Sequence, residues 1–292
     1  MKTLEDYLQE NVKKSTAKSY LYEIKKYRLQ NKNTQGYHYK NIMEYVEILR
    51  KAYQPNSIAR ILAAIKKYYD YLIATGIRKD NPARSIKLQD TQPNPIQLQD
   101  LFSEKELQIL LKPRKERYPI LQKRNQFIMS LLVNQAIKVG EIIQLRTTDI
   151  NLEKAQINIT GTAQTNNRVL PLKAEQILLF YDYLNQYRQT LITFRTKENY
   201  LLLNKLGTFV KTEDINYLIS TYQNSPFGGR GDKKLTSITI RQSVITNLLT
   251  KGNDLRMVQE FSGHKQLDTT EKYKQTGIKA LQNAIEKHHP IQ

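Results

Sequence analysis

The 292-residue chain has no cysteine, which excludes disulfides, thiolate catalysis and cysteine zinc sites. Histidine is nearly as scarce. His38, His264, His288 and His289 are the full complement, too few for a histidine metal cage, so no metal is expected; no cofactor is expected either. No stretch approaches the roughly 18 apolar residues of a membrane span, and the opening MKTLEDYLQENVKK places acids where a signal peptide would be apolar. These absences favour a cytoplasmic protein with no membrane partner. Acidic residues are also in deficit. Against 46 Lys and Arg stand 27 Asp and Glu, a formal charge of +19, and a polyanion is the partner such an excess suits.

What is present is a composition that folds. Hydrophobic residues make up 39% and aromatic residues 9%, too apolar for a disordered tail and too charged for a membrane bundle, so one or two domains are expected. The charge is not confined to one end. Positions 1–92 hold 18 Lys/Arg and 9 Asp/Glu, a net of +9, which leaves +10 for the rest. Positive charge over both halves suits approach to a phosphate backbone from two sides; the bland alternative is a lysine-rich solubilising surface.

Helical periodicity organises the first third. Between Ser15 and Gln30, the residues Tyr20, Ile24 and Tyr27 share one face while Lys18, Lys25, Lys26 and Arg28 lie elsewhere. Over Asn56–Thr75, Ile58, Ile61, Leu62, Ile65, Tyr68, Tyr69 and Leu72 form an i, i+3, i+4 stripe. Pro55 begins that helix, Gly76 ends it, and Arg60, Lys66 and Lys67 mark its polar face. With Leu4–Val12 and Tyr39–Lys51 this predicts four helices and no strand. The polar stretch from Gln89 to Asp100, with two prolines, reads as a linker.

Further on, Ser103 with Glu106 three residues later is a capping signal. Helices are predicted over Glu106–Leu111, Arg124–Asn134, Lys173–Leu191, Glu213–Gln223 and Thr239–Lys251. Strand signals occur at Ala155–Gly161 and Arg168–Leu172, around the turn-rich TAQTNN, and read as a hairpin. The expected fold is therefore mainly α with a small β-hairpin sheet, with a helical domain at 1–88, a linker at 89–102 and a second domain at 103–292.

Four stretches, in order, resemble one family, the tyrosine recombinases, which include phage integrases and Xer-like recombinases. Asn134-QAIKVGEIIQLRTTDI resembles T-G-L-R-x-S-E-x-x-x-L-x-x-x-D-I, and INITGTAQTNNRVLPL resembles the strand-hairpin-strand box I-x-V-x-G-K-G-x-K-x-R-x-V-P-L. The long stretch LTSITIRQSVITNLLTKGNDLRMVQEFSGHKQLDTTEKY resembles a box that opens T-P-H-x-L-R-H-S-F-A-T and closes L-G-H-x-x-x-x-T-T-x-x-Y. The first helical region, ending in GIRKDNPA, resembles the family's core-DNA-binding domain. The resemblance covers nearly the whole chain. It implies an N-terminal four-helix core-binding domain and a C-terminal tyrosine-recombinase-like catalytic domain that together encircle double-stranded DNA.

Members of that family attack the scissile phosphate with a tyrosine hydroxyl, giving a 3′-phosphotyrosine and a free 5′-hydroxyl without a metal. The phosphorane spreads negative charge over its equatorial oxygens, so cations and hydrogen-bond donors must surround it and a general acid must protonate the leaving oxygen. By the resemblance, the nucleophile falls on Tyr273, nine residues after His264, whose imidazole would donate to a phosphate oxygen. Arg241 falls on the arginine of the H-x-x-R box, where a guanidinium fork grips two oxygens. The first family arginine falls on Lys138, a point donor in place of a fork.

Other positions depart further. The histidine of H-x-x-R falls on Ile238, the histidine that often follows the arginine on Gln242, and the hairpin lysine on Thr162, with no lysine between Lys154 and Lys173. Two or three lost donors at about 3 kcal/mol each would slow chemistry by about 10⁴ to 10⁶ unless other groups fill in. Lys138, Arg168 or a lysine from elsewhere are the candidates to do so.

Two functions follow: a site-specific recombinase or integrase working through Tyr273, or a catalytically impaired, architectural or accessory DNA-binding partner of an active recombinase. Candidate catalytic residues are Tyr273, Arg241, His264 and Lys138; candidate DNA-binding residues are Lys18, Arg60, Lys66, Lys67 and Arg168. The apolar stripe Ile278, Leu281, Ala284 and Ile285 would, by the resemblance, pack into a neighbouring subunit on DNA. The glycine-rich run Pro226–Lys234 lacks the spacing of a phosphate-binding loop, and His288-His289 reads as a solvated tail.

Overall fold

A computed structural model describes residues 3–31, 33–89, 96, 98–196, 199–223 and 233–274. Most of the glycine-rich run, the C-terminal apolar stripe and His288-His289 lie outside the described residues. The chain divides into two compact units, Met1–Pro95 and Ile96–Gln292.

The first unit is built from α1 (Leu4–Asn11), α2 (Lys14–Gln30), α3 (Tyr39–Arg50) and α4 (Pro55–Ala74). The expected stripe of α4 is buried from Ile58 to Leu72 against Ile24, Tyr27, Ile42 and Val46. This core is rich in tyrosine, and a buried phenol must find a partner for its hydroxyl. The Tyr27 and Tyr69 hydroxyls lie 2.9 Å apart, Tyr69 donates to the Thr34 carbonyl at 2.8 Å, and the Tyr68 hydroxyl is 3.2 Å from Thr34 Oγ1. At the end of α4, Gly76 takes φ +74°, which lets the Ile77 and Arg78 amides turn back onto the Leu72 carbonyl.

The second unit surrounds α6 (Gln122–Gln135), which is buried on nearly every side and so lacks the one-sided stripe of a surface helix. Before it, α5 (Glu104–Ile109) starts at the Ser103–Glu106 capping box; after it comes the single turn α7 (Val139–Ile142). The sheet is antiparallel in the order β1 (Ile150–Asn151), β2 (Gln156–Ile159), β3 (Arg168–Pro171). Ile157 faces Leu170 and Ile159 faces Arg168, so the expected hairpin gains one short outer strand.

Helices then close the unit. The expected Lys173–Leu191 helix is α8 (Ala174–Asp182) running through a π turn at Tyr183–Tyr187 into α9 (Arg188–Leu191). They are followed by α10 (Thr212–Gln223), α11 (Ser237–Thr250), α12 (Leu255–Ser262) and α13 (Leu267–Glu271). Helices α7, α12 and α13 were not anticipated, because pieces of four to eight residues are too short to establish a period. Within the segment expected as a linker, Leu98–Asp100 form a 3₁₀ turn and Phe102 is buried, its amide donating to Ser243 Oγ at 2.8 Å. Among the described residues no helix is long and apolar enough to cross a membrane.

Candidate active site

The site is assembled where α6 ends. Ala136 takes a left-handed conformation, φ +48°, and turns the chain so that Lys138 stands at the N-terminus of α7. The Lys138 amide donates to Glu141 Oε2 at 3.0 Å. Glu141 is only 1% exposed, and its carboxylate also receives both arms of Arg168, at 3.0 and 2.8 Å, and the Thr165 hydroxyl at 2.7 Å. Burial alone would raise its pKa, but these donors outweigh burial and hold it below the usual carboxylate range.

This corrects the assignment of Arg168 to a DNA contact. Strand alternation on β3 sends Arg168 and Leu170 to the core side and Val169 to solvent. The guanidinium is therefore buried and committed to Glu141.

Arg168 in turn explains the Gly-His pair. Gly263 ends α12 at φ +71°, and a Cβ there would lie 2.6 Å from Arg168 Nη1, so any larger residue meets both strain and a clash. The Asn166 amide donates to the Gly263 carbonyl at 2.9 Å, tying the hairpin tip to the corner that carries His264. The His264 ring is buried, with Nδ1 2.9 Å from Thr270 Oγ1. Burial, then the charges of Arg241, Lys138 and Arg168, push its pKa down to about 3, so the imidazole is neutral at physiological pH.

Arg241 reaches the site from the buried face of α11. Its guanidinium donates to the Ala136 carbonyl, at the end of α6, and to the Ser262 carbonyl at 2.6 Å, at the end of α12. Helix C-termini offer unpaired carbonyls and the negative end of the dipole, so both favour a cation there. Burial and then Arg168 lower its pKa to about 10, which still leaves it charged at neutral pH. Lys138 is half-buried, and burial followed by Arg241 lowers its pKa. The Tyr273 amide donates to the Thr270 carbonyl at 3.1 Å, and burial raises the phenol pKa against the opposing charge of Arg241. The phenol is therefore protonated in the free protein.

A cleft of about 630 Å³ opens over these groups and brings together Lys138, Arg241, His264 and Tyr273 from four separate elements. Lys265, Gln242 and Gln164 are among the other polar residues of its wall. Ile238 is 66% exposed on the same wall, an apolar side chain with no proton to give. Thr162 is turned into the hairpin instead. Its hydroxyl lies 3.0 Å from Thr165 Oγ1 and accepts the Gln164 amide at 3.2 Å, so the hairpin presents an amide side chain, Gln164, to the cleft.

The model of the phage integrase family matches residues 100–278, and that of the phage integrase N-terminal SAM-like domain matches residues 2–76. The chain belongs to the phage integrase family. It is similar to tyrosine recombinase XerC of Thermodesulfovibrio yellowstonii, 26% identical over 250 residues, covering 84% of this chain and 79% of the relative. Tyrosine recombinase XerD of Proteus mirabilis is 27% identical over 242 residues, covering 83% and 75%.

Among solved structures, the XerH site-specific recombinase bound to a palindromic difH substrate has a TM-score of 0.70 at 22% identity, over 91% of this chain and 76% of that one. The Tn1549 transposon integrase in complex with a circular intermediate DNA has a TM-score of 0.66 at 17% identity, over 98% and 100%. These likenesses establish the integrase fold for both units.

In the first unit of this integrase-family chain, the candidate DNA-binding residues are already partly engaged. Arg60 donates to Ser19 Oγ at 2.8 Å and to the buried Glu23 at 2.7 Å, and Lys66 donates to the Ile86 carbonyl at 2.7 Å. Lys67 stands 3.9 Å from Asp70, while Lys18 is exposed. Sequence reading missed Glu141, Thr165, Gly263 as a steric partner, Thr270 and Gln164. One signal was available: Glu141 follows Lys138 by three residues, the spacing of a helix-start cap. Among the described residues no group of three His, Cys, Asp or Glu is placed to hold a metal ion.

Proposed function

We propose that this chain clamps duplex DNA with both units and that the second unit cuts and rejoins one strand through Tyr273. What carries the reading is the convergence of Lys138, Arg241, His264 and Tyr273 on one cleft. The phenol gives its proton to solvent as its oxygen attacks the scissile phosphorus, the bond to the 5′-oxygen breaks as that oxygen takes up a proton, and a 3′-phosphotyrosine remains. Arg241, preorganised by two helix C-termini, faces the equatorial oxygens with its remaining N–H groups, and the neutral His264 supplies a hydrogen bond. Lys138 adds charge at the phosphate, and its ammonium, made more acidic by burial, releases a proton to the leaving 5′-oxygen more readily than a guanidinium would. Self-association on DNA through the C-terminal segment belongs to the same reading.

The second reading, an accessory DNA-binding partner with impaired cleavage, is favoured by Ile238 on the cleft wall and by Thr162 turned away from it. A nicked suicide substrate separates the two. A covalent protein–DNA adduct that disappears in Tyr273→Phe supports the enzyme; DNA binding with no adduct on any nicked site supports the partner.

A further inference from the structure

A second cleft opens at the other end of α6. Arg124 and Asn125 in its first turn, the loop from Arg114 to Tyr118, Lys205, and Tyr217 of α10 enclose about 780 Å³, the size of a small-ligand site. Helix α6 has 14 residues, so at 1.5 Å per residue its ends are about 21 Å apart. The two clefts share no lining residue.

Arg124 is only 6% exposed. Its Nε and Nη2 donate to Asn125 Oδ1 at 3.1 and 2.7 Å and its Nη1 to the Leu203 carbonyl at 3.2 Å. Among the described residues no carboxylate comes within ion-pair distance: its hydrogen bonds go to neutral acceptors, and Asp214 and Glu116 act on its charge only from farther off. Buried charges are ordinarily paired. Arg241 has a similar arrangement in the first cleft: buried, hydrogen-bonded to carbonyls, and part of a cavity wall.

The rest of the lining agrees. Arg114, Lys115, Arg117, Arg124 and Lys205 face two acids, Glu116 and Asp214, a net of +3. Glu116 is already neutralised by the Arg114 fork, at 2.8 and 3.2 Å, and Asp214 accepts the Lys211 amide at 2.9 Å. At the rim, Lys205 Nζ is 4.5 Å from the Tyr118 ring centroid. Arg117 also lies over the Tyr118 ring, at 5.4 Å, whereas Tyr217 is 66% exposed and offers its ring beside these cations. An acidic peptide would answer the charge and leave that ring unused, whereas a nucleobase stacks on it.

We propose that this cleft binds a nucleoside 5′-phosphate, with its phosphate toward Arg124, Arg117 and Lys205 and its base against Tyr217. The source is a free nucleotide or the terminal nucleotide of a DNA strand. Calorimetric titration of the full chain with AMP tests the site, and a 5′-phosphorylated DNA trinucleotide tests the source. One AMP is expected to bind, at least tenfold more weakly in Tyr217→Ala and in the double variant Arg117→Ala/Lys205→Ala, whose exposed positions leave folding intact. Lys138→Ala is expected to leave AMP affinity unchanged, and photolabelling with 8-azido-AMP to mark residues 114–118 or α10. Tighter binding of the trinucleotide would name a strand end as the source, and tighter binding of AMP a free nucleotide. Inorganic phosphate or a glutamate-rich peptide binding as tightly as AMP would overturn the assignment, as would loss of AMP binding in Lys138→Ala with retention in the double variant.

Discussion

His264 and Tyr273 lie with ring centroids 5.9 Å apart and planes 15° from parallel, and one residue positions both. Thr270 holds His264 Nδ1 through its hydroxyl and the Tyr273 amide through its carbonyl. Thr270→Val keeps the shape and the carbonyl but removes the hydroxyl, so His264 loses its orientation. Covalent adduct formation should then fall by about 10- to 100-fold, as when a positioning partner is lost, with duplex affinity unchanged. Tyr273→Phe should abolish the adduct entirely; an adduct surviving that change would mean that another residue attacks.

Lys138 can act through its charge or through its proton, and the leaving group distinguishes the two. Lys138→Ala should slow cleavage by about 10² to 10³, the usual effect of one preorganised donor. A substrate with sulfur in place of the bridging 5′-oxygen expels a thiolate, which needs no protonation. If Lys138 is the proton donor, that substrate should restore most of the lost rate in Lys138→Ala but not in Arg241→Ala. Equal defects on both substrates would assign Lys138 to charge alone.

The Glu141–Arg168 pair predicts a stability effect separable from chemistry. Arg168→Met leaves a buried carboxylate without its partner, at a cost of about 3–5 kcal/mol. Replacing both members with apolar residues should recover much of that loss. Gly263→Ala should cost about 1–3 kcal/mol, from left-handed strain and the contact with Arg168. Urea unfolding of the four proteins measures all three, and an unchanged midpoint in Gly263→Ala would show that the hairpin–corner junction is loose.

Acid should unfold the second unit early. His264 has a pKa of about 3 in the fold against an ordinary 6.5, so between those values the unfolded chain takes up a proton that the folded one refuses. Stability present above pH 6.5 is lost as pH falls through this window, by at most about 5 kcal/mol. Glu141, held below the usual carboxylate range, adds a loss at the acid end. Thermal melting of His264→Gln should depend less on pH between 7 and 4.5 than that of the unsubstituted protein. Parallel curves would remove His264 as the cause.

Charge distributed over both units predicts a steep salt dependence of duplex binding, with a log-log slope of several released counterions. Lys18→Ala should lower that slope by about one, because Lys18 is exposed, whereas Lys66→Ala, which loses a bond to the Ile86 carbonyl, should show more in stability than in the slope. Filter binding across a salt series, beside thermal melting, decides between them.

Local signals carried much of this protein. The stripe from Ile58 to Leu72, the Ser103–Glu106 cap and the alternation of β2 and β3 are set by neighbours within a few residues, so they are readable along the chain. The box that carries Arg241, His264 and Tyr273 is equally linear, so the resemblance to the family could name the candidate site. Other features are decided by contacts between distant segments, for which no local period exists. Arg241 meets the Ala136 carbonyl 105 positions away, and Arg168 meets Glu141 across 27. That is why a basic residue near the hairpin read as a DNA contact and proved to be a buried brace. It is also why Thr162, aligned with a family lysine, turns inward while Gln164 faces the cleft: hairpin hydrogen bonds, not sequence position, choose which side chain is presented.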